Sequence, residues 1–398
     1  MIRIKPAIDW GGPCPRCGRA LSPEGVLWQG IHVCALARCP GCGAEIAADL
    51  PVGAALYFPY QVERKRGLLS GSPVPRQWLG EPFLQSLLHP VEAAVGLEIE
   101  VRANRRKVVI LNCIDYLYGH SLLKLLNAER HLRDAEVGVV LLLPRFLRWM
   151  VPPGVAEVWV VDIPLSRARS FHPDLDRQIQ AQCARFEEVY VSPAWSHPGD
   201  FDISRFTGLP RHDFAVPRFR ITFVWREDRT WWRGLPGIDL LRQGPGVQRL
   251  LLDWQKRKIV RLFTALRRKF PSALFTVAGL GKTARFPHWI EDLRVARFDE
   301  EAERRTCQVY SESRLVVGVH GSSMLLPSGH AGLTIDLMPE DRWGNFGQDI
   351  LYQEKDARLA TYRYRFLPVG SDTAVVAHCA AEQLDGFLYF REQMLHSG

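Results

Sequence analysis

A chain of 398 residues is long enough to bury sizeable cores, and at roughly 150 residues per domain it predicts two to three domains. With 47% apolar and 24% charged residues, the composition excludes wholesale disorder and collagen-like repeats. Lys and Arg (51) exceed Asp and Glu (43) by +8, which suits anionic small molecules as well as nucleic acid, so charge alone does not choose a partner.

The opening segment Met1 to Asp9 holds no apolar run of signal-peptide length, which implies an intracellular, cytoplasmic protein. Nine cysteines are present, five of them before residue 43, and the others (Cys113, Cys183, Cys307, Cys379) are scattered singly. This is the clustering of a metal site and not of a disulfide framework. Cys14-Pro-Arg-Cys17-Gly and Cys39-Pro-Gly-Cys42-Gly are two copies of one turn, and each can clamp half of a tetrahedral site with sulfurs about 2.3 Å from the ion. The glycine after each pair permits the positive φ that turns backbone N–H groups toward the thiolates. A zinc ribbon is therefore predicted over residues 1–60, with a structural Zn2+ on Cys14, Cys17, Cys39 and Cys42. His32 and Cys34 are spare candidate ligands, although two complete knuckles already fill four positions and Cys34 also fits a small buried hydrophobe. A four-thiolate site leaves no open position for water or substrate, so chemistry is expected elsewhere.

Residues 61–105 read as a connecting segment. From Arg106 short β-branched runs alternate with helical stretches: Lys107 to Cys113, Val137 to Leu143 and Glu157 to Asp162 are apolar on both faces, as buried parallel strands are. Ser121 to Leu132 between the first two has helical apolar spacing. A first Rossmann-like domain is predicted over 106–215, ending in the linker Pro210 to Pro217. A second, over 216–372, contains the strands Arg220 to Trp225, Ala273 to Ala278, Leu315 to Val319 and Leu333 to Met338. Its long helix Val247 to Phe270 carries an apolar face of Leu250, Leu251, Trp254, Ile259, Leu262, Phe263 and Leu266. A last helix occupies 373–398. The uncharged stretch Leu315 to Ile335 is broken by five Gly or Pro and opposes a membrane span. The expected fold is α/β, with two Rossmann-like domains facing across a cleft at the carboxyl ends of their strands, plus the small zinc ribbon.

Arg226 and Arg229 follow the strand that ends at Trp225, where a diphosphate would sit, and guanidinium groups give bidentate donation to phosphate. The competing reading is a surface network with Glu227 and Asp228. Val317-Gly-Val-His320-Gly321-Ser322-Ser323 runs from a strand into a probable helix start: Gly321 allows close backbone approach, the serines add donors, and the helix amino end adds positive potential. His320 either donates to phosphate or sugar, or is a core histidine. Gly279-Leu-Gly281-Lys282-Thr283 has the letters of a P-loop, but the first glycine of that motif would fall on Thr276, so it is a strand-to-helix loop with Lys282 beside the phosphate. In the first domain Asp115 and His120 are the general-base candidates, against a loop cap and a packing residue. Asp174-Leu-Asp176 and Asp200-Phe-Asp202 have the letters of a metal motif, but neither ends an apolar strand.

The string Ser313 to Pro327, followed by Leu333 to Pro339, resembles the donor-site motif of GT-B glycosyltransferases of the plant xylan and EGF-domain O-GlcNAc transferase group. That motif typically reads His-Gly-Ala-Gly. Here Ser322 and Ser323 replace Ala-Gly and are similar to the pair in fucosyltransferase-like relatives, whose arginine motif Val224 to Arg229 also resembles. The resemblance covers about residues 106–370 as architecture but only two short segments as motif. It implies a nucleotide-sugar donor on Arg226, Arg229, His320, Gly321, Ser322 and Ser323, an inverting transfer to a glycan or protein acceptor, and a base from the amino-terminal half, with His120 tried first and no catalytic metal. The competing class is a zinc-ribbon nucleic-acid binder, suggested by Lys256-Arg257-Lys258 and Arg267-Arg268-Lys269; those clusters lie opposite an apolar helix face, so nucleic acid is not the expected partner. A non-catalytic nucleotide- or sugar-binding module is the third reading.

Overall fold

The computed structural model describes residues 1–194, 198–233, 245–352, 354 and 356–396. The chain divides into two compact units, Met1–Asp202 and Ile203–Gly398. The first opens with β1 (Ile2–Lys5) and then builds a five-stranded antiparallel meander: β2 (Ser22–Trp28), β3 (Val33–Arg38), β4 (Glu45–Asp49), β5 (Tyr60–Glu63) and β6 (Leu68–Gly71). A π-helical turn, Arg76–Gly80, and α1 (Glu81–Leu88) lead into β7 (Leu97–Val101). The α/β pattern follows as β8 (Lys107–Asn112), α2 (Tyr118–Leu126), α3 (Ala128–His131), β9 (Gly138–Pro144), β10 (Glu157–Val161), α4 (Pro173–Ala184) and β11 (Glu188–Val191).

These strands form one sheet in the order β1-β11-β8-β9-β10-β7. The inner four are parallel, and β1 and β7 are antiparallel edges. Numbered along the chain, the parallel strands lie 3-2-1-4, the Rossmann half-order. The all-apolar runs expected as buried strands are β8, β9 and β10, and every residue of β9 and β10 is buried. The expected helix Ser121 to Leu132 is broken at Asn127, whose side-chain amide donates back to the Leu123 carbonyl at 2.8 Å.

The antiparallel sheet runs on to Gly71, past the expected limit at residue 60, and the connecting segment 61–105 contains two of its strands together with β7. It is not a separate body. Trp28, Val33, Cys34, Tyr60 and Val62 share one hydrophobic core with Val108, Ile110, Trp159 and Val189 of the α/β sheet. The Asp176 carboxylate on α4 accepts the Trp28 amide at 2.8 Å, which ties β2 to that sheet.

The second unit contains α5 (Ile203–Thr207), β12 (Arg220–Trp225), α6 (Pro245–Lys269), β13 (Leu274–Gly279), β14 (Glu291–Asp292), α7 (Glu300–Ser311), β15 (Ser313–Val319), α8 (Leu325–His330), β16 (Leu333–Met338), α9 (Ala357–Arg363), β17 (Tyr364–Pro368) and α10 (Thr373–Leu395). All six strands are parallel, in the order β14-β13-β12-β15-β16-β17. This is 3-2-1-4-5-6, the full doubly wound order, with its reversal between β12 and β15. On α6, Leu252, Ile259, Leu262, Phe263 and Leu266 are buried, but Leu250 and Trp254 of the expected face are exposed, and Trp254 meets the Trp232 ring edge-on at 5.8 Å. The final helix α10 packs on α6 and on the β15–β16 face of its own unit.

Candidate functional site

The two cysteine knuckles are conformational copies. Gly18 N–H donates to Cys14 O and Gly43 N–H to Cys39 O, each at 2.9 Å, with both glycines at positive φ, 74° and 68°. The four sulfurs lie within 4.8 Å of one another and could hold a metal ion. Their closest cross-pairs are 3.7 Å (Cys14–Cys42) and 3.4 Å (Cys17–Cys39), close to the edge of about 3.8 Å that a tetrahedron with 2.3 Å zinc–sulfur bonds requires. The Cys42 backbone N–H pulls the Cys39 thiol down, while the neighbouring sulfurs push the Cys42 thiol up, as closely packed thiols sharing protons do. Four sulfurs at this spacing fit zinc. His32 and Cys34 are not part of the group. His32 is buried with Nδ1 2.6 Å from Asp49 Oδ2, and Cys34 lies in the shared core, where burial pushes its thiol well up.

At the carboxyl end of β8, Asp115 and His120 come together, with His120 Nδ1 3.4 Å from Asp115 Oδ1. Asp115 is buried, and its other oxygen is 2.9 Å from the Nζ of Lys124, an equally buried residue of α2 that the sequence reading missed. Burial raises the carboxyl, but the Lys124 ammonium and His120 outweigh it and hold Asp115 well below the usual carboxylate range. A carboxylate held so firmly ionised is a poor proton acceptor. Asp115 thus lies beside His120, whose ring is partly exposed. Asn112, on the same end, donates to the Gly30 carbonyl at 2.7 Å, so the β2–β3 turn of the antiparallel sheet buttresses this loop.

The two Asp-x-Asp strings, read as solvated loop carboxylates and not as metal ligands, divide: Asp174 and Asp176 are structural acceptors in the first turn of α4, and Asp200 is in an exposed ion pair. Asp174 accepts the Val95 amide at 3.0 Å and Gln178 at 2.9 Å, Asp176 holds Trp28, and Asp200 pairs with Arg133 at 2.7 Å.

In the second unit the carboxyl ends of β12 and β15 meet at the point where the strand order reverses. Arg229 Nη1 donates to the His320 carbonyl at 2.7 Å; Arg226 Nη1 donates to the Ser323 hydroxyl at 3.1 Å and reaches the same carbonyl at 3.4 Å. Gly321 sits at φ 142°, and a Cβ there would lie 2.7 Å from Arg226 Nη1 and 3.1 Å from Arg229 Nη1, so glycine is required by conformation and by the guanidinium pair together. Desolvation first, then the neighbouring Arg226 and Arg342, lowers the Arg229 pKa against the opposing pull of Asp228 and Asp341. The surface-network reading holds for Asp228, which pairs with Arg226. It fails for Glu227, which instead accepts the Thr283 amide at 3.0 Å and fixes the Gly279 to Thr283 loop. Gly281 (φ 108°) has no room for a Cβ against that carboxyl. Lys282 is exposed on this loop, and Ser322 is exposed after β15.

Two expectations change here. The His320 imidazole is buried, 2.9 Å from Asp336 Oδ2 and 3.3 Å from Asp349 Oδ2, and only its carbonyl faces the arginines. Tyr364 donates to the same Asp336 oxygen at 2.7 Å, which makes this a hydrogen-bonded core network. The expected helix start after Ser323 is a single 3-10 turn followed by the six-residue α8, so the positive potential comes from the arginines and not from a helix dipole. Gln255, buried on α6, was also missed; it accepts the Trp231 amide at 2.6 Å and donates to the Arg226 carbonyl at 3.2 Å, fixing the arginine loop. Its signal was a polar residue on the stripe between Leu252 and Ile259.

The basic clusters on α6 are partly spent in packing: Lys258 lies over Trp231, Arg267 over Trp289, and Lys269 pairs with Asp385. Among the described residues no helix is long and apolar enough to cross a membrane.

No family model matches the chain, and no curated protein matches it. Among solved structures, ADP-heptose LPS heptosyltransferase II of E. coli is similar at a TM-score of 0.36 and 12% identity, over 72% of this chain and 99% of that one. A Listeria monocytogenes protein titled as a UDP-N-acetylglucosamine 2-epimerase is similar at 0.32 and 10%, over 71% and 88%. The class rests on the strand orders themselves: two Rossmann-like α/β units, the first fused to a cysteine-clamped antiparallel sheet.

Proposed function

We propose that the protein is a glycosyltransferase that moves a sugar from a nucleoside-diphosphate donor to an acceptor hydroxyl. The observation that carries this is the convergence of Arg226 and Arg229 on the His320–Gly321–Ser323 turn at the strand-order reversal of the second unit, the place where doubly wound sheets bind ligands. In this reading the two guanidinium groups hold the diphosphate and stabilise the charge that develops as the anomeric C–O bond breaks. Ser322, Ser323 and Lys282 add donors around it. His120, oriented by Asp115, takes the proton of the acceptor hydroxyl as its oxygen attacks the anomeric carbon, with inversion. Arginine replaces a divalent ion in this step, and zinc on the four cysteines is structural.

The test is a thermal-shift titration of the full chain with UDP, GDP, ADP, CDP and dTDP, with and without EDTA, against ligand-free controls. One diphosphate is expected to raise the melting temperature in both conditions. Arg226→Ala and Gly321→Ala should each weaken it at least about tenfold, the loss of one charge-assisted contact. Normal donor affinity and full sugar transfer in Arg226→Ala would refute the assignment. Diphosphate binding without transfer to any acceptor would leave a binding module.

A further inference from the structure

Beside His120 the first unit carries a group of side chains that proton transfer does not use. Tyr116 follows Asp115 and meets the His120 ring edge-on at 6.3 Å. The Arg169 guanidinium lies over the other aromatic surface on hand, 4.2 Å from the Tyr116 ring centroid, and its Nη1 donates to the Trp78 carbonyl at 3.0 Å. Arg169 is fixed from behind as well, because its own carbonyl accepts Gln29 at 2.6 Å. Three separate stretches thus converge: the loop after β8, the segment before α4, and the π-helical turn that ends the antiparallel sheet. Among the described residues Arg169 has no carboxylate partner. Trp78, whose carbonyl holds Arg169, keeps 46% of its surface exposed, and Leu117 keeps 42%.

A guanidinium held flat on a tyrosine, with one N–H spent on a backbone carbonyl and no acid opposite, presents its remaining donors in the planar fork that binds carboxylate or phosphate. The exposed Trp78 ring, on the residue whose carbonyl holds Arg169, is an electron-rich surface of the kind suited to the C–H edges of a sugar ring. We propose that Tyr116, Arg169 and Trp78 form a subsite for an acidic sugar, with the anionic group on Arg169 and the ring against Trp78, next to His120. Calling that sugar the acceptor rests on the transferase reading; its binding does not. The inference also gives the metal-clamped sheet a task, since the turn leading out of that sheet supplies Trp78.

The test is calorimetric titration of the full chain with three probes: a tetrasaccharide of alternating glucuronate and N-acetylglucosamine, neutral chitotetraose of the same length, and glucose 6-phosphate. The acidic tetrasaccharide should bind at least about tenfold more tightly than the neutral one. Arg169→Gln should abolish that preference, and Trp78→Ala should weaken both oligosaccharides. Hydrogen-exchange protection of β8 to β11 should be unchanged in both variants, which shows that the first unit folds, and nucleoside-diphosphate affinity, a property of the second unit, should not move. Arg169-dependent binding of glucose 6-phosphate in place of the glucuronate chain would assign the charge to phosphate and support the subsite. No acidic preference in the wild type, or a preference that survives Arg169→Gln, overturns it. If acidic sugars bind but no nucleoside diphosphate does, the transferase reading fails while the subsite stands.

Discussion

The two parallel sheets share the 3-2-1-4 order yet finish their first strands in opposite ways. At the end of β8 the polar groups are satisfied from within: Lys124 neutralises Asp115 and donates to the Ile114 carbonyl, and Asn112 is bonded to the antiparallel sheet's Gly30. At the end of β12 two guanidinium groups gather on one backbone carbonyl, with Asp228 paired to Arg226. Strand order fixes where a site can form, and the loop decides its sign. The first unit's end suits an oriented base, and the second's suits an anion.

Removing the metal should break this comparison most severely. Binding to a structural four-thiolate zinc site is worth about 10 kcal/mol or more, and here the clamped sheet shares its core with the first α/β sheet. Replacing Cys14 and Cys39 with Ser should therefore unfold the first unit as a whole. Hydrogen exchange on the full chain should show protection lost from β1 through β11 and retained in β12 through β17. Equal loss in both units would mean that they are not separate in stability.

Lys124→Met comes next. It leaves Asp115 buried without its main counter-charge, which costs about 3–5 kcal/mol when one partner of a buried pair is removed. The double variant Lys124→Met with Asp115→Leu should recover most of that loss in a denaturation experiment. Nucleoside-diphosphate affinity, a property of the second unit, should not move in either. Failure of the double variant to recover would show that Asp115 matters for more than its charge.

Much of this was legible from local pattern. Each cysteine knuckle is complete within five residues, and the buried parallel strands announce themselves as runs apolar on both faces. The arginine site was legible in its parts but not in its assembly: Arg226 and Gly321 are adjacent only because β12 and β15 are neighbours, and strand order is a property of the whole sheet. Lys124 and Gln255 gave a signal, a lone polar residue inside an apolar helical stripe, but their partners lie at other points of the chain. The edge strand β7 (Leu-Glu-Ile-Glu-Val) has clean alternation and was absorbed into a supposed connector. His320 was misjudged because sequence cannot tell which way a residue at a strand end turns, and Asp336, which draws it inward, sits on β16.

The smallest expected effect reverses the asymmetry, because each unit contains a histidine that burial drives strongly toward its neutral form, with His172 of the first unit lowered by burial as well. Burial, reinforced by Arg130, pushes His131 from 6.5 down to about 4, and its Nε2 is 2.7 Å from the Ser192 hydroxyl. Burial likewise pushes His212 down to about 4, with its Nδ1 3.2 Å from the Ser311 carbonyl. Between these values the unfolded chain binds protons that the folded chain refuses, so stability is full above pH 6.5 and falls as the pH drops toward 4. Asp49 and Asp176, raised by burial, act with the opposite sign, so the contribution is best read as a difference between wild type and variant. His131→Asn should flatten the acid limb of the first unit's unfolding and His212→Asn that of the second, each leaving the other unit's limb unchanged. An acid limb untouched by both substitutions would place the titration on His172 and the carboxylates instead.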